Sequence, residues 1–310
     1  MNLPEPVYVR DLFGGKATVI AFGAPFNWNY AGTSREEMEA KNPGITAALE
    51  EVMRRFDIQR ALVPKPSFDA NVVTEHDLPN ELLPNFCRGA DADGVILTKP
   101  DDAYFLASAD CLATLIYDDR TGALSANHCG RESIIDKKAI LAGLPQSREF
   151  PSIIDAAIKR LDQLAGERLK PIWMPQDFSS YEEIPPHLDH TGLQVFLAAG
   201  IRPETFEHPT VDHKFAAENK LMIDALVRSD LEHASQPGNT EVVTNAVRGN
   251  IDLFALVRRQ LLDRDVQASS IIDDGYDTAT TTDEQGNPLF QCNRLDPTRS
   301  KRNLIIVRLN

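Results

Sequence analysis

The pattern of hydrophobic and polar residues predicts short strands alternating with amphipathic helices. Apolar runs bounded by turn residues predict strands over 16–22, 60–63, 71–74, 94–98, 171–174, 269–272 and 304–309. Apolar residues at helical spacing predict helices over 36–40, 45–56, 133–142, 152–164, 193–199, 216–228 and 250–262. Residues 75–89 and 273–286 are polar and predict loops. The last strand is apolar on both faces, which predicts a central place in a sheet.

A β-hairpin is the strongest local prediction. Two apolar runs, 104–117 and 123–128, flank the polar turn 118–122, which ends in a glycine. If the turn is centred between its second and third residues, Cys111 lies opposite His128. Their Cβ atoms would then be roughly 5 Å apart. The hairpin therefore predicts a thiol and an imidazole in one place.

The Cys–His pair, with Asp110 beside it, admits three interpretations. A thiolate and a neutral imidazole are good zinc ligands, but a catalytic zinc needs a third protein ligand. His76 is the nearest upstream histidine and the candidate third ligand, although it is equally a solvated loop residue. Without a metal, His128 could activate Cys111 as a nucleophile. In the third interpretation both residues simply belong to the core.

Length and composition indicate one globular domain over residues 1–310, of α+β or mixed α/β class with a mixed sheet around the central hairpin. The net charge of −14 disfavours nucleic acids and anionic membranes as partners. The four cysteines form no CxxC pair, which predicts free thiols in a reducing compartment. No signal peptide and no run of about 18 apolar residues is found, so a cytoplasmic protein is expected.

Candidate ligand-binding residues outside the hairpin give weaker signals. The densest basic cluster precedes and enters the last strand: Arg294, Arg299, Lys301, Arg302 and Arg308. Such a cluster in an acidic chain could hold a phosphate, or it could be a solvated loop. Asn250 opens the predicted last helix, where it could present an anion site or act as an N-cap. His208 and His213 are spaced to reach one metal, or to line a surface turn.

Several segments together form a recognisable pattern. They are ADGVILT at 92–98, SADCL at 108–112, Asp118, Gly122 and ANHCG at 126–130, with collinear agreement at 39–42, 250–262 and 290–302. This pattern resembles the laccase-domain family, also called multicopper polyphenol oxidase-like and described as zinc-dependent purine nucleoside phosphorylases. The agreement is most specific at residues 109–112.

The resemblance implies a single α/β domain with a zinc ion held by His, Cys and His. It implies an enzyme that binds purine nucleosides and cleaves or deaminates them with phosphate or water. By position, Cys111 and His128 are two zinc ligands and Asp110 is the adjacent acid or base. Arg131 is the candidate that would assist catalysis and contact the anion. Arg294, Arg302 and Asn250 are the expected substrate contacts.

The sequence departs from the family pattern at the site itself. Phe68 stands where the family has its first histidine, and only a shifted alignment supplies His76. The family's HAGWRG segment reads HCGRES here, and its middle segment survives only weakly at 174–182. These departures favour two alternatives to the zinc enzyme: a catalytically degenerate binding or assembly protein, and a metal-free Cys/His hydrolase. Copper oxidation of phenols is not expected, because the chain lacks the His-x-His sets that copper clusters need.

Overall fold

The computed structural model describes residues 3–142, 152–169, 189–234, 244–245, 249–296 and 298–310. The predicted strand at 171–174 and the family's middle segment lie outside these residues. The strands are β1 (Tyr8–Leu12), β2 (Ala17–Phe22), β3 (Arg60–Leu62), β4 (Val72–Val73), β5 (Asn80–Leu83), β6 (Phe86–Arg88), β7 (Gly94–Leu97), β8 (Asp102–Ser108), β9 (Leu112–Asp118), β10 (Ala123–Cys129), β11 (Leu193–Ala198), β12 (Thr244–Asn245), β13 (Asn250–Ile251), β14 (Ile271–Asp273) and β15 (Asn303–Leu309). The helices are α1 (Arg35–Lys41), α2 (Ile45–Arg55), α3 (Arg131–Ile134), α4 (Lys137–Leu141), α5 (Ile153–Leu169), α6 (Ala216–Ala234) and α7 (Leu253–Leu262).

Two mixed sheets form the centre of the fold. The first has the strand order β1-β2-β15-β8-β3-β6-β5, and the second has the order β14-β11-β9-β10-β7-β4. Both contain parallel and antiparallel pairs. The last strand, β15, lies between β2 and β8, which confirms its predicted central position. The predicted mixed α+β class is confirmed as well.

Three apolar cores divide the described elements into four layers. One core lies between the two sheets and includes Tyr104, Leu115 and Leu124. A second packs α1 and α2 on the outer face of the first sheet. The third packs α5, α6 and α7 on the outer face of the second sheet. Because side chains alternate along a strand, the central strands β2, β8, β9, β10 and β15 each contribute to two cores. No helix among the described residues is long and apolar enough to cross a membrane.

The prediction that residues 104–117 form one strand of the hairpin was wrong. The apolar run 104–117 is two strands in different sheets: β8 belongs to the first sheet and β9 to the second. The chain crosses between the sheets at residues 109–111, and the hairpin is formed by β9 and β10. A continuous apolar run cannot reveal such a crossing, because all of these residues are buried or nearly so.

Three other local predictions were wrong because tertiary pairing outweighed local pattern. The predicted helix 193–199 is wrong, because residues 193–198 form strand β11 between β9 and β14. The predicted loop 75–89 contains β5 and β6. Asn250 is in β13, and the N-cap of α7 is Asp252, whose carboxylate accepts from the Ala255 N–H at 2.9 Å.

A charge network far from Cys111 gives one pH-dependent prediction. The His190 Nε2 atom lies 3.0 Å from Asp162 and its Nδ1 atom 2.6 Å from the Arg264 carbonyl oxygen. The hydrogen bond to Asp162 outweighs burial and raises the pKa of His190. The contact between His190 and Asp162 therefore stabilises the folded protein fully below the pKa that His190 has in the unfolded chain. This stabilisation is lost as the pH rises through the pKa of His190 in the folded protein. We expect His190→Gln to lower the melting temperature more at about pH 5.5 than at about pH 8.5.

Thermal melts of both proteins at the two pH values test this expectation. His76→Gln is the matched control, because the His76 side chain is 83 % exposed. An equal loss at both pH values in the His190 variant would contradict the protonated pair.

Candidate active site

Cys111 and His128 meet at the edge of the layer between the two sheets. His128 pairs with Ala113 across the hairpin, so the predicted register, with Cys111 opposite His128, was wrong by two residues. A shift of two keeps every side chain on the same face of the sheet. Cys111 therefore remains a diagonal neighbour of His128, close enough for its thiol to raise the pKa of the imidazole.

Asp93 completes the group from the neighbouring strand. The pairing of β10 with β7 continues one residue beyond β7, where the His128 N–H donates to the Asp93 carbonyl oxygen at 2.6 Å. The two side chains meet as well: His128 Nδ1 lies 3.1 Å from Asp93 Oδ1. Because a carboxylate only accepts, Nδ1 carries the proton and Nε2 is left for Cys111. Asp93 is fully buried and was missed as a site residue, although it lies within the family-like segment at 92–98.

The second carboxylate oxygen of Asp93 holds the loop that carries Phe68. Oδ2 accepts from the backbone N–H groups of Asp69 and Ala70 at 3.0 and 3.2 Å, and from the Ser67 hydroxyl at 3.3 Å. Phe68 has a φ of 58°, in the left-handed region that few non-glycine residues adopt. The short loop 67–70 is thus fixed through its main chain by the same carboxylate that orients His128.

The Phe68 ring lies edge-on against the imidazole of His128, with ring centroids 5.4 Å apart. Gly130 lies close to the rings of both Phe68 and His128. A Cβ atom at Gly130 would lie 3.1 Å from a carbon of each ring, so a side chain there would force them apart. The structure therefore places Phe68 beside His128, at the position where the resemblance expects a third metal ligand.

Electrostatics favour the charged form of His128. Burial alone would lower its pKa, but the interactions with Cys111 and Asp93 outweigh burial and raise the pKa to about 9. Cys111, His128 and Asp93 therefore form a row of a thiol, an imidazole and a carboxylate. In that order an imidazole can accept the proton of the thiol and later return a proton to a leaving group.

Asp110 lies next to Cys111 but is engaged by the chain itself. Its Oδ1 atom accepts from the Asn293 N–H at 2.8 Å, and the nearby Cys292 thiol acts to lower the pKa of the same carboxylate. Burial raises the pKa of Asp110 despite these interactions. Asp110 lines the cavity, and its contact with Asn293 links the crossing between the sheets to the segment before β15.

A cavity of about 940 Å³ opens over Cys111 and His128. Its charged lining is mostly cationic, although the whole chain carries a net charge of −14. Eight Lys or Arg residues line it: Lys41, Lys65, Arg88, Arg131, Lys214, Arg294, Arg299 and Arg302. Only three carboxylates do so: Glu37, Asp110 and Glu132. The cavity therefore carries a local positive potential that suits a small anion.

The predicted residues divide into those that the cavity brings together and those that it does not. Arg131, Arg294 and Arg302 line it with Asp110, Cys111 and His128. His76 does not: it stands on a 3-10 turn, 83 % exposed, and its nearest acidic partner is Glu75. Asn250 is also outside the lining, because its buried amide donates to the Pro203 carbonyl. Neither residue therefore lines this cavity, and their roles in a site stay predictions.

The side chains present do not make a ready zinc site. A catalytic zinc needs three protein ligands, and the resemblance supplies them as His, Cys and His. Among the residues that the structure describes, no group of three His, Cys, Asp or Glu side chains is placed to hold a metal ion. Cys111 and His128 supply two donors, and the carbon ring of Phe68 stands beside them in place of a third. The donor set therefore does not fit zinc.

Comparisons with known proteins support the resemblance. The model of the family "multi-copper polyphenol oxidoreductase laccase" matches residues 38–148. This range includes Phe68, Asp93, Cys111 and His128. A search of the curated proteins finds no match.

Three solved structures share the fold. YlmD from Geobacillus stearothermophilus has a TM-score of 0.60 at 14 % identity, over 95 % of this chain and 91 % of its own. The Bacillus licheniformis hypothetical protein YfiH has a TM-score of 0.59 at 12 % identity, over 95 % and 93 %. Neisseria meningitidis protein NMB0706 has a TM-score of 0.55 at 15 % identity, over 100 % and 97 %. At these identities the likeness concerns the fold alone, whereas the family model matches the sequence around the site. The chain is thus similar to this family in sequence over residues 38–148, and it shares the fold of the three solved structures over nearly its full length.

Proposed function

We propose that the protein is a metal-independent thiol hydrolase that acts on a small anionic substrate with a flat ring. The observation that carries this proposal is the Cys111–His128–Asp93 group at the base of a cationic cavity. Cys111 is the nucleophile, and His128 is the acid and base. Asp93 is a positioning residue, because it reaches the reaction only through His128.

The reaction has two balanced steps. The Cys111 thiolate attacks an electrophilic carbon of the substrate, a sulfur–carbon bond forms, and the leaving group departs with a proton from the imidazolium of His128. Water then attacks the same carbon, His128 takes a proton from the water, and the sulfur–carbon bond breaks to release the thiolate. The net reaction consumes one water and needs no oxidant or reductant.

Purine nucleosides and their phosphates are the proposed substrate class. The family resemblance suggests the purine, and two exposed rings of the cavity support it: Phe68 is 44 % and Phe215 48 % exposed. A base stacked on such a ring gains about 1–3 kcal/mol. The carbon of a purine that bears an amino group is the electrophile that fits the two steps above. Its leaving group is ammonia, so the proposed reaction is a deamination.

Alkylation of Cys111 tests the nucleophile without knowledge of the substrate. Near neutral pH we expect iodoacetamide to modify Cys111 at least about tenfold faster in the unchanged protein than in His128→Asn, because only the thiolate reacts. Peptide mass spectrometry at timed intervals measures both rates. Cys87 is the internal control, since burial raises the pKa of its half-buried thiol and it lies outside the cavity. Equal Cys111 rates in the two proteins would refute the activated thiol.

Turnover tests the substrate class. Ammonia release from adenosine and its monophosphate is expected to fall by about 10³-fold or more in Cys111→Ala. Release that is unaffected by this substitution would move the chemistry away from Cys111.

A binding protein without catalysis is the second candidate function. The observation in its favour is Phe68, which stands where the family has a ligand while the cavity around it is intact. This candidate predicts binding of the same anionic ligands with an unreactive Cys111, so the alkylation experiment separates it from the hydrolase. The zinc-dependent phosphorylase or deaminase implied by the resemblance needs a third protein ligand for the metal. Metal analysis of the unchanged protein and of Phe68→His tests this requirement.

A further inference from the structure

Asn293 lies in the cavity lining and has an unsatisfied amide oxygen. Its Oδ1 atom is buried and makes no hydrogen bond with any residue that the structure describes. A buried acceptor without a donor costs free energy of about 1–3 kcal/mol, so a ligand that donates to it is favoured. The two neighbouring amides differ, because Gln291 and Asn303 both bond to main-chain groups. The oxygen of Asn293 therefore indicates contact with a ligand.

The main chain that carries Asn293 is held in place. Its N–H donates to Asp110 Oδ1 at 2.8 Å, and Asp110 directly precedes Cys111. The Asn303 side chain bonds to both main-chain groups of Gln291, at 2.6 and 2.8 Å. A group on such a support loses little conformational entropy when a ligand binds. The amide is thus carried on a rigid segment that is tied to the residue before the nucleophile.

The Asn293 amide has the hydrogen-bonding groups that match adenine. A primary amide presents one carbonyl acceptor and one NH₂ donor side by side. Adenine presents the complement, because its amino group donates and the ring nitrogens that flank this group, N1 and N7, accept. Asparagine makes a paired contact of this kind with the amino group and N7 of adenine in nucleic acids. The amino group is also the leaving group of the proposed deamination.

We propose that Asn293 determines the specificity of the cavity for aminopurines: Oδ1 accepts a hydrogen bond from the amino group of the base, and Nδ2 donates to a flanking ring nitrogen. This inference rests on the proposed function, because it names the residue that selects the group which the thiol displaces. The contact is made to the uncharged base, so it does not depend on the positive charge of the cavity. A purine without the amino group leaves the buried oxygen without a donor, and a site built in this way rejects such an analogue strongly.

Calorimetric titration of Cys111→Ala with adenosine and with purine riboside tests the contact. The two ligands differ only in the amino group, and the Cys111 substitution prevents turnover under the proposed mechanism. We expect adenosine to bind at least about tenfold more tightly than purine riboside. Adding Asn293→Leu should abolish this preference, because leucine has a similar size and no acceptor. Asn71→Leu is the matched control, since Asn71 is exposed and outside the cavity lining, and it should keep the preference.

Two further analogues identify the ring nitrogen. If Nδ2 donates to N7, 7-deazaadenosine should bind about tenfold more weakly than adenosine, and 1-deazaadenosine identifies N1 in the same way. Either loss should disappear in Asn293→Asp, because a carboxylate retains the acceptor and has no N–H to donate. If neither analogue binds more weakly than adenosine, the hydrogen bond from Nδ2 is overturned.

Thermal melts separate recognition from a role in the fold. Asn293→Leu should leave the melting temperature of the unliganded protein unchanged or raise it, because the substitution removes an unsatisfied buried oxygen. A fall of more than about 5 °C would assign the side chain to the fold and overturn the proposal.

The binding results also distinguish this inference from the proposed function. No binding of adenosine, or a preference for adenosine that survives in Asn293→Leu, overturns the inference, whereas the reactivity of Cys111 towards iodoacetamide is unaffected by either result. A preference that depends on Asn293, without ammonia release by the unchanged protein, supports the inference and refutes the deamination.

Discussion

Replacing Phe68 with histidine is expected to give a protein that binds about one zinc ion per chain, whereas the unchanged protein binds none tightly. Phe68 already contacts the imidazole of His128, with ring centroids 5.4 Å apart. An imidazole at position 68 would add a third donor beside Cys111 and His128, and three protein ligands make a catalytic zinc site. His128 is suited to the role, since a ligand histidine commonly donates its other N–H to a carboxylate, here Asp93. Metal analysis after purification without chelator and dialysis against zinc measures the stoichiometry.

Phe68→Leu is the matched control, because it removes the ring and adds no donor. It should stay free of tightly bound zinc. If the unchanged protein itself holds stoichiometric zinc, the metal-independent mechanism is wrong and a third ligand must come from elsewhere. If Phe68→His takes up no zinc, the side chain at position 68 does not lie close enough to Cys111 and His128 to bind a shared metal ion.

Replacing Asp93 with alanine is expected to lower the free energy of unfolding by about 3–5 kcal/mol. The carboxylate is fully buried and holds His128 on one side and the loop 67–70 on the other. Its loss leaves a buried imidazole and two backbone N–H groups without their acceptor. We also expect the alkylation rate of Cys111 to fall, because the tautomer and orientation of His128 are no longer fixed. Urea unfolding near neutral pH measures the first effect.

Asp91→Ala is the matched control, two residues earlier in the chain. Its carboxylate is 57 % exposed and lies 3.5 Å from the Lys65 ammonium, so its removal should change stability by no more than about 0.5 kcal/mol. Asp93→Asn retains the size of the side chain and one acceptor oxygen. Its loss in the free energy of unfolding should therefore lie between the losses in Asp91→Ala and Asp93→Ala. A loss below about 1 kcal/mol in Asp93→Ala would show that the carboxylate is not the support that its contacts indicate.

The pattern of the sequence predicted much of the fold, and its failures have physical causes. Helices α1, α2 and α5 and strands β2, β7 and β15 were found near their observed positions, because each has a clear period and bounding turn residues. Strand β11 was mistaken for a helix, since a short buried run has no period that separates the two states. The crossing at 109–111 was missed for the same reason. Sheet assignment depends on contacts between distant segments, which no local window contains.

The site was predicted in part. Cys111 and His128 line the same cavity although the predicted register was wrong, because an error of two residues leaves both on one face. His76 lies away from that cavity, because proximity in sequence says little about position in space. Asp93 was present in the recognised segment, but its role depends on two contacts that only the fold creates. His208 was considered only as a metal ligand or a turn residue, and its place in the cavity lining depends on the fold.

The way in which Asp93 holds the loop 67–70 has an evolutionary consequence. Two of its three loop contacts are to backbone N–H groups, and such groups are present whatever side chain the loop carries. Position 68 can therefore exchange one residue for another while the loop keeps its path and His128 keeps its orientation. Under the proposed mechanism, a substitution at this one position separates thiol-dependent from metal-dependent chemistry. Lineages of the fold can in that way diverge in reaction type without rebuilding the sheets that support the site.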